Sequence, residues 1–262
     1  MKKSLLDSKI DSKNTIVIAD FDGTFTKKEV MGNKTSALMT ILMDEKYLGK
    51  AGLQASHELF NHYYPIELDP HINEIDKNAL MQEWWEKSFA VIRECKVSKE
   101  MLLEVCRSPL LQWRDQLLDF VKILNAKKIP LIIYSAGGFG KLAIEYLLEK
   151  ENIFADNIKV FSNEIIFDEQ GYFLEIVQPI VHIANKTGHL LIKNNLLTAV
   201  PDRRHCLLIG DSLDDKKMTT GIDFDSVYKV AFSSHNLEHF AKDFDLVLPV
   251  DGSFEKIIDL LN

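Results

Sequence analysis

Short apolar runs rich in β-branched residues recur along the chain. The first, residues 15–19, is apolar after Thr15 and stops at Asp20. A run that is apolar on both faces is typical of a strand in a parallel sheet covered by helices on either side. Similar runs follow at residues 130–134, 158–161, 205–209, 227–232 and 245–248.

Segments with apolar residues three and four apart alternate with these runs from about residue 108 onward. Residues 140–151 and 212–220 are examples. The alternation predicts an α/β fold with a doubly wound, mostly parallel sheet. Residues 163–173, which carry Asp168-Glu169-Gln170-Gly171 near their centre, predict a β-hairpin attached to that sheet.

The interval between the first two sheet strands, roughly residues 27–126, is too long for a simple crossover, and its periodicity is helical. It shows no strong strand signal. Helices are predicted over residues 34–48, 53–62, 76–95 and 98–105. An insertion directly after the first strand lies over the carboxyl ends of the strands, where open α/β sheets bind ligands. We therefore expect a catalytic core of residues 1–26 and 108–262 and a helical cap of residues 27–107.

Composition narrows the class of protein. The chain has 262 residues, of which 46% are hydrophobic and 10% aromatic, and this composition excludes disorder. Lys and Arg number 31 against 39 Asp and Glu, a net charge of −8. Without a basic block, that balance disfavours a nucleic-acid partner, because affinity for phosphate backbones comes from clustered Lys and Arg.

Cysteine usage and the start of the chain bear on the compartment. Cys95, Cys106 and Cys206 show no CxxC spacing, which suits a reducing compartment and predicts neither a disulfide framework nor a zinc site. Asp7 and Asp11 interrupt the region where a signal peptide is apolar, and nowhere are ~18 apolar residues consecutive. We expect a cytoplasmic protein, with no membrane or protein partner indicated.

Acidic residues follow two of the predicted strands directly. Asp20 and Asp22 come after the first strand, and Asp211 and Asp215 come after a later one. Each pair has an ordinary explanation, since Asp-x-Asp-Gly is common in turns and Asp211 or Ser212 can cap the helix that follows. Two strands that both end in carboxylates beside one crevice instead favour a hard cation, because oxygen ligands suit Mg²⁺.

A third strand end and a later loop carry groups of the kinds that can surround a phosphate. Ser135, Ala136 and Gly137 follow a predicted strand, where a hydroxyl and backbone N–H groups at a helix N-terminus can surround an anion. Lys186 lies in a later loop, and such a lysine is usually a solvated surface residue. It gains weight only in the company of the other three groups.

In this order, the four groups resemble the motifs of the haloacid-dehalogenase-like (HAD-like) phosphohydrolase superfamily. The motifs are DxDxT, a strand-end serine, a lysine and GDxxxD, matched by Asp20, Asp22, Thr24, Ser135, Lys186, Asp211 and Asp215. The resemblance implies a Rossmann-like core with a cap of the C1 type inserted between the first and second motifs.

Hydrolysis of a phosphate monoester needs a nucleophile, an acid for the leaving group and charge neutralisation. We expect Asp20 to attack phosphorus and form an aspartyl-phosphate, and Asp22 to act as general acid and then base. We expect Mg²⁺ on the Asp20 carboxylate, the Asp22 carbonyl and Asp211, with Asp215 acting through a metal-bound water or by orienting Lys186. The phosphoryl oxygens are expected to contact Ser135, Ala136, Gly137 and Lys186.

A closer resemblance is to the cytosolic 5′-nucleotidase III, or pyrimidine 5′-nucleotidase, family. Residues 63–70 (YYPIELDP) and 81–88 (MQEWWEKS) resemble its cap, and residues 134–137, 185–186 and 210–212 resemble its core motifs. The resemblance implies that Glu67 and Ser88 bind the nucleoside end of the substrate. The chain differs from the family at two places. Gly23 stands where the family usually has a bulky residue, and residues 27–36 do not match the family's base-contacting stretch.

The leading hypothesis is a Mg²⁺-dependent 5′-nucleotidase that releases phosphate from a nucleoside 5′-monophosphate, with transfer to another nucleoside as a side activity. A HAD-type phosphatase for another small metabolite, such as a phosphoamino acid or a sugar phosphate, uses the same core and stays open. A dehalogenase has no alkoxide to protonate and no use for Asp22. A non-catalytic binding protein is disfavoured because no core motif residue is missing.

Overall fold

The computed structural model describes residues 11, 13–34, 37–198 and 203–261. Two expectations fall partly outside the described residues. One is the absence of a signal peptide, which concerned the first residues of the chain. The other is the mismatch between residues 27–36 and the family's base-contacting stretch, because residues 35 and 36 are not described.

The elements alternate as predicted. In chain order the strands are β1 (Thr15–Ala19), β2 (Glu29–Val30), β3 (Asn33–Lys34), β4 (Leu131–Tyr134), β5 (Ile158–Phe161), β6 (Ile165–Phe167), β7 (Phe173–Ile176), β8 (His205–Gly210), β9 (Ser226–Phe232) and β10 (Leu246–Leu248). The helices are α1 (Leu38–Leu42), α2 (Glu45–Leu68), α3 (Glu74–Glu94), α4 (Lys99–Cys106), α5 (Leu117–Ala126), α6 (Gly140–Lys150), α7 (Gly188–Lys193), α8 (Leu237–Asp243) and α9 (Glu255–Leu261), and a 3₁₀ helix spans Leu213–Thr219.

Six strands form one parallel sheet in the order β10-β9-β8-β1-β4-β5. Every residue of the central strand β1 is buried. Val17 belongs to one buried cluster together with residues of α5 and α6, and Ile18 belongs to a second one together with Leu191 of α7 and Met218 of the 3₁₀ helix. Helices therefore cover both faces, which confirms the doubly wound α/β prediction and explains the unbroken apolar runs.

The helices between β1 and β4 differ from their predicted bounds. The helix predicted over residues 34–48 is wrong in extent: Lys34 belongs to β3, α1 has only five residues, and Asp44 caps a new helix through the N–H of Lys46. That helix, α2, includes the predicted residues 53–62 but runs to Leu68, with a break at Gly49, whose φ is +65°. Strands β2 and β3 were not predicted, because a strand of two residues leaves no alternating pattern in the sequence.

The predicted hairpin is present but pairs differently. Strands β6 and β7 form their own two-stranded antiparallel sheet, so attachment to the central sheet is wrong within the described residues. Phe173 of β7 stacks on Phe89 of α3 with ring centroids 5.8 Å apart. The N–H of Lys99 also donates to the carbonyl of Gly171. The hairpin thus supports the inserted helices, because its apolar side chains find their partners there.

Two antiparallel segments connect the inserted helices to the sheet. Thr26 and Trp113 form an isolated β-bridge, and the N–H of Lys27 donates to the carbonyl of Gln112 at 2.9 Å. We call residues 26–28 and 112–114 the hinge segments. They lie near the predicted boundaries of the cap, and the division into core and cap stays a prediction.

The three cysteines differ in burial. All three thiols are free; Cys106 and Cys206 are buried, and Cys95 is half-buried. Among the described helices, no span combines the length and the apolar character needed to cross a membrane.

Candidate active site

The sheet order brings the predicted motifs together. Asp20 follows β1, Ser135 follows β4 and Asp211 follows β8, and these three strands are neighbours that run in the same direction. The carboxyl ends of parallel neighbours meet at one edge of the sheet, so residues distant in sequence converge there. Lys186 reaches the same edge from the loop before α7.

The Asp20 carboxylate is held on both oxygens. One oxygen accepts from the ammonium group of Lys186, and the other accepts from the Thr24 hydroxyl at 3.2 Å. Lys186 also donates to Asp215 at 2.9 Å, so it bridges the two carboxylates. Burial raises the pKa of Asp20, and Lys186 opposes this. Burial disfavours the charge of Lys186 in turn, but its two carboxylate partners outweigh burial and raise its pKa.

Asp215 organises the fourth motif. Its second oxygen accepts from the N–H groups of Asp211 and Ser212, both at 2.9 Å. Ser212 caps the 3₁₀ helix and forms a capping box with Asp215. The ordinary helix-capping explanation of this motif is therefore correct for Ser212. It accompanies rather than replaces the ion pair between Asp215 and Lys186.

Three carboxylates form a cluster that suits a hard cation. Asp20, Asp211 and Asp215 each offer an oxygen, and these oxygens lie within 4.8 Å of one another. The Thr24 hydroxyl, which bonds Asp20, also lies 3.5 Å from Asp211. Hard carboxylate oxygens are the donors that Mg²⁺ prefers, so the residues present fit that ion. The cluster contains two of the predicted metal ligands; Asp22 was predicted to contribute a backbone carbonyl, not its carboxylate.

Asp22 faces the opposite side of the crevice. One carboxylate oxygen accepts from the N–H of Leu38, the first residue of α1, at 3.2 Å. A Cβ atom placed on Gly137 would lie 3.2 Å from the other oxygen and equally close to Ser135 Oγ. Burial raises the pKa of Asp22 to about 7, against the lowering effect of the Leu38 N–H. Asp22 can therefore hold a proton near neutral pH beside the Ser135 loop.

The loop that follows β4 is shaped by Ser135 and Asn163. Ser135 is buried, and its Oγ accepts from the N–H of Gly137 at 3.0 Å. The Asn163 amide donates to the carbonyls of Gly137 at 3.1 Å and Val181 at 2.9 Å. Asn163 thus joins this loop to the chain segment that leads to Lys186. Ala136 lies in the same loop, half-buried, directly before Gly137.

The two residues assigned to the nucleoside end lie on α2 and α3. Glu67 is partly buried near the end of α2, and burial together with the charge of Asp214 raises its pKa to about 7. Asp214 belongs to the 3₁₀ helix that follows β8. Ser88 is half-buried on α3, one turn after Trp85, so the two share a face of the helix. The Trp85 ring approaches Gly138, where an added Cβ atom would lie 2.8 Å away.

Sequence reasoning missed four residues at or beneath this site: Lys28, Trp85, Arg114 and Asn163. Trp85 stood inside a stretch quoted for its family resemblance, and that was the one available signal. The other three are single polar residues without a local motif, and their partners come from distant parts of the chain.

The fold and the site define the class of protein. The carboxyl edge of the doubly wound parallel sheet carries an aspartate pair, a serine, a lysine and a second acidic cluster. This arrangement is that of the HAD-like phosphohydrolases. The chain is a phosphoric monoester hydrolase of that superfamily. The profile of the pyrimidine 5′-nucleotidase (UMPH-1) family matches residues 23–262. The chain belongs to this family, which confirms the resemblance seen in its motifs.

Relatives and solved structures agree with the family. A 7-methylguanosine phosphate-specific 5′-nucleotidase B of Xenopus laevis is 29% identical over 250 residues, which cover 94% of this chain and 86% of the relative. The human 7-methylguanosine phosphate-specific 5′-nucleotidase is 28% identical, with 94% and 83% covered. The structure of cytosolic 5′-nucleotidase IIIB bound to cytidine superposes with a TM-score of 0.83 at 26% identity, covering 95% of this chain and 85% of the other. A phosphoserine phosphatase, at 15% identity and a TM-score of 0.59 with 94% and 98% covered, shares the fold.

Proposed function

We propose that this chain is a Mg²⁺-dependent 5′-nucleotidase that hydrolyses nucleoside 5′-monophosphates through an aspartyl-phosphate on Asp20. The observation that carries the proposal is the placement of two aspartates with different surroundings on one loop. Asp20 lies among Lys186 and the acidic cluster, whereas Asp22 lies against the Ser135 loop with its pKa raised to about 7. Two carboxyl groups whose surroundings separate them in this way suit a nucleophile and a general acid.

The first step transfers the phosphoryl group to the protein. An Asp20 oxygen attacks phosphorus while the bond from phosphorus to the 5′-oxygen breaks, and the protonated Asp22 carboxyl gives its proton to that leaving oxygen. In the second step Asp22, now ionised, takes a proton from the water that attacks the aspartyl-phosphate. Phosphate leaves and the Asp20 carboxylate is restored.

Four groups hold the phosphoryl oxygens in this proposal: Ser135, Lys186 and the N–H groups of Ala136 and Gly137. The N–H of Gly137 donates to Ser135 Oγ in the structure, so it has to leave that hydroxyl before it can donate to a phosphoryl oxygen, whereas the hydroxyl hydrogen of Ser135 can donate directly. Lys186 contributes a positive charge that is already oriented by Asp215. Asp215 is therefore a positioning residue in this mechanism.

The acidic cluster would hold Mg²⁺ through the carboxylates of Asp20 and Asp211 and the backbone carbonyl of Asp22. When bound, the ion reduces the repulsion between the Asp20 carboxylate and the anionic phosphate. Phosphate release should therefore stop when Mg²⁺ is removed with EDTA and return when Mg²⁺ is restored.

The nucleoside end is assigned to the face of α3 that carries Trp85 and Ser88 and to Glu67 of α2. An aromatic ring on α3 and a carboxylate on α2 suit a base that stacks and donates hydrogen bonds. The relatives named for 7-methylguanosine phosphate and the cytidine-bound structure support a nucleotide substrate. A cytoplasmic location belongs to the proposal, supported by the cytosolic name of that structure and by the three free cysteines.

The test of substrate class is phosphate release from a panel of esters at fixed Mg²⁺. The panel contains CMP, UMP, AMP, GMP, 7-methylguanosine 5′-monophosphate, phosphoserine, glucose 6-phosphate and p-nitrophenyl phosphate. We expect the highest kcat/KM with a nucleoside monophosphate. A higher kcat/KM with phosphoserine or the sugar phosphate would contradict the nucleotidase proposal in favour of a metabolite phosphatase.

Variants of the two residues assigned to the nucleoside end test which part of the substrate they contact. Glu67→Gln and Ser88→Ala should lower kcat/KM for the preferred nucleotide and leave p-nitrophenyl phosphate hydrolysis almost unchanged, because that ester lacks a nucleoside. A hydrogen bond to a charged carboxylate is worth roughly 1.5–3 kcal/mol and a neutral one about 0.5–1.5 kcal/mol. Glu67 should therefore matter more in assays above its pKa of about 7, where its carboxylate is charged. Lys186→Met is the matched control and should damage both esters. Parallel losses on both esters for the first two variants would contradict their assignment.

A further inference from the structure

A lysine from the first hinge segment reaches the acidic cluster. Lys28 Nζ lies 2.5 Å from Asp211 Oδ2, and 29% of the lysine side chain is exposed against 15% for the aspartate. The backbone of Lys28 is anchored as well, since its N–H donates to Asp251 Oδ1 at 2.8 Å. The ammonium group is therefore delivered to Asp211 from a fixed point outside the four sequence motifs.

Gly23 makes this approach possible. A Cβ atom at Gly23 would lie 2.7 Å from both Lys28 Cε and Asp211 Oδ2, closer than real side chains approach. The φ of Gly23 is +73°, a conformation that L side chains rarely adopt. Gly23 therefore leaves open the space in which the Lys28 side chain reaches Asp211.

We propose that Lys28 is an internal counter-cation for Asp211 that competes with the divalent metal ion. The proposal rests on the proposed function in that Asp211 is a metal ligand. In the metal-free protein Lys28 offsets the repulsion among the clustered carboxylates. A bound Mg²⁺ has to share the Asp211 carboxylate with this ammonium group or displace it, and either outcome costs affinity. Lys28 thus stabilises the metal-free protein and weakens metal binding.

The test compares Lys28→Met with Lys27→Met in the full chain. Lys27 is the matched control because it removes the same charge one residue away, where its partner Asp115 is 65% exposed at 2.7 Å. Mg²⁺ binding is measured by titration calorimetry without substrate, and the unfolding midpoint is measured in EDTA. Lys28→Gln is measured in parallel, and it replaces Lys28→Met if circular dichroism shows that the methionine variant does not fold.

We expect the Lys28 variant to bind Mg²⁺ roughly three- to tenfold more tightly than wild type and to unfold at a lower temperature in EDTA. Lys27→Met should change the affinity less than about twofold. Equal or weaker Mg²⁺ binding by the Lys28 variant, or an unchanged midpoint in EDTA, would overturn the inference. Phosphate release from nucleotides by the wild type separates the two proposals. Release without an affinity difference refutes the Lys28 role alone, and an affinity difference without release refutes the nucleotidase proposal alone.

Discussion

Among the described residues, Arg114 is the largest fully buried side chain that carries a charge, and its removal offers a quantitative test of the fold beneath the site. Its guanidinium donates to the carbonyls of Thr24 at 2.8 Å, Val250 at 2.6 Å and Gly252 at 3.1 Å, and it also donates to the carbonyl of Gly23. Its plane lies over the Phe232 ring at 3.7 Å. One side chain therefore holds together the loop after β1 and the loop before α9.

The expected loss follows from these partners. Arg114→Met keeps the apolar volume but leaves four carbonyls without a donor, and a buried unsatisfied group costs about 1–3 kcal/mol. The costs do not add fully, because the loops relax and water reaches the partly buried carbonyls. We therefore expect a loss of about 3–5 kcal/mol in the free energy of unfolding, the range for removing one partner of a buried charged network. Lysine should not rescue it, since a compact ammonium group lacks the planar fork of donors.

The assay is thermal unfolding followed by circular dichroism. For a chain of this size, 1 kcal/mol corresponds to about 2–4 °C, so the midpoint of Arg114→Met should lie roughly 6–20 °C below wild type. Arg107→Met is the control, because Arg107 pairs with Glu100 on the surface, and its midpoint should stay almost unchanged. A midpoint for Arg114→Met within about 2 °C of wild type would refute the reasoning that the carbonyls depend on this side chain.

Four further variants test Asp20 and Asp211 in the site, the buried carboxyl group of Glu67 and the strained backbone at Gln116. Asp20→Asn should release no phosphate in a single-turnover experiment while keeping its circular dichroism spectrum, and release at near the wild-type rate would contradict the covalent mechanism. Asp211→Ala should shift the Mg²⁺ dependence of phosphate release to higher concentration with partial recovery there, whereas equal inactivity of a folded variant at every Mg²⁺ concentration would make Asp211 structural. The pKa of Glu67 rises from 4.5 to about 7 on burial, so the native state binds the proton more tightly and stability falls as pH rises through that window. Glu67→Gln should flatten this slope of the unfolding midpoint between pH 4.5 and about 7, and an unchanged slope would argue against burial of the charge. Gln116 has a φ of +61° at the start of α5, so Gln116→Gly should raise the free energy of unfolding by about 0.5–1 kcal/mol, and a lower midpoint would show that the glutamine side chain contributes there.

The sequence by itself determined the class of fold and the order of the motifs. The unbroken apolar run of β1 needs partners on both faces, and only helices on either side of a parallel sheet supply them. The motif residues Asp20, Ser135 and Asp211 each follow such a run, so their convergence at one edge follows from the geometry of parallel strands. These features are local patterns repeated along the chain, and they can be recognised without knowing which segments are neighbours.

Only the tertiary structure decided the partners of isolated polar residues. Nothing local to Lys28 indicates that its ammonium group reaches Asp211, and nothing local to Asn163 indicates that its amide joins the Ser135 loop to Val181. The start of α2 was likewise misjudged, because the cap at Asp44 begins a new helix inside the apolar period of residues 34–48. A buried apolar side chain can pack against any apolar neighbour, so the pattern of apolar residues is enough to predict its burial. A hydrogen bond or an ion pair needs one correctly oriented partner. That partner comes from a distant part of the sequence, and only the folded structure shows which residue it is.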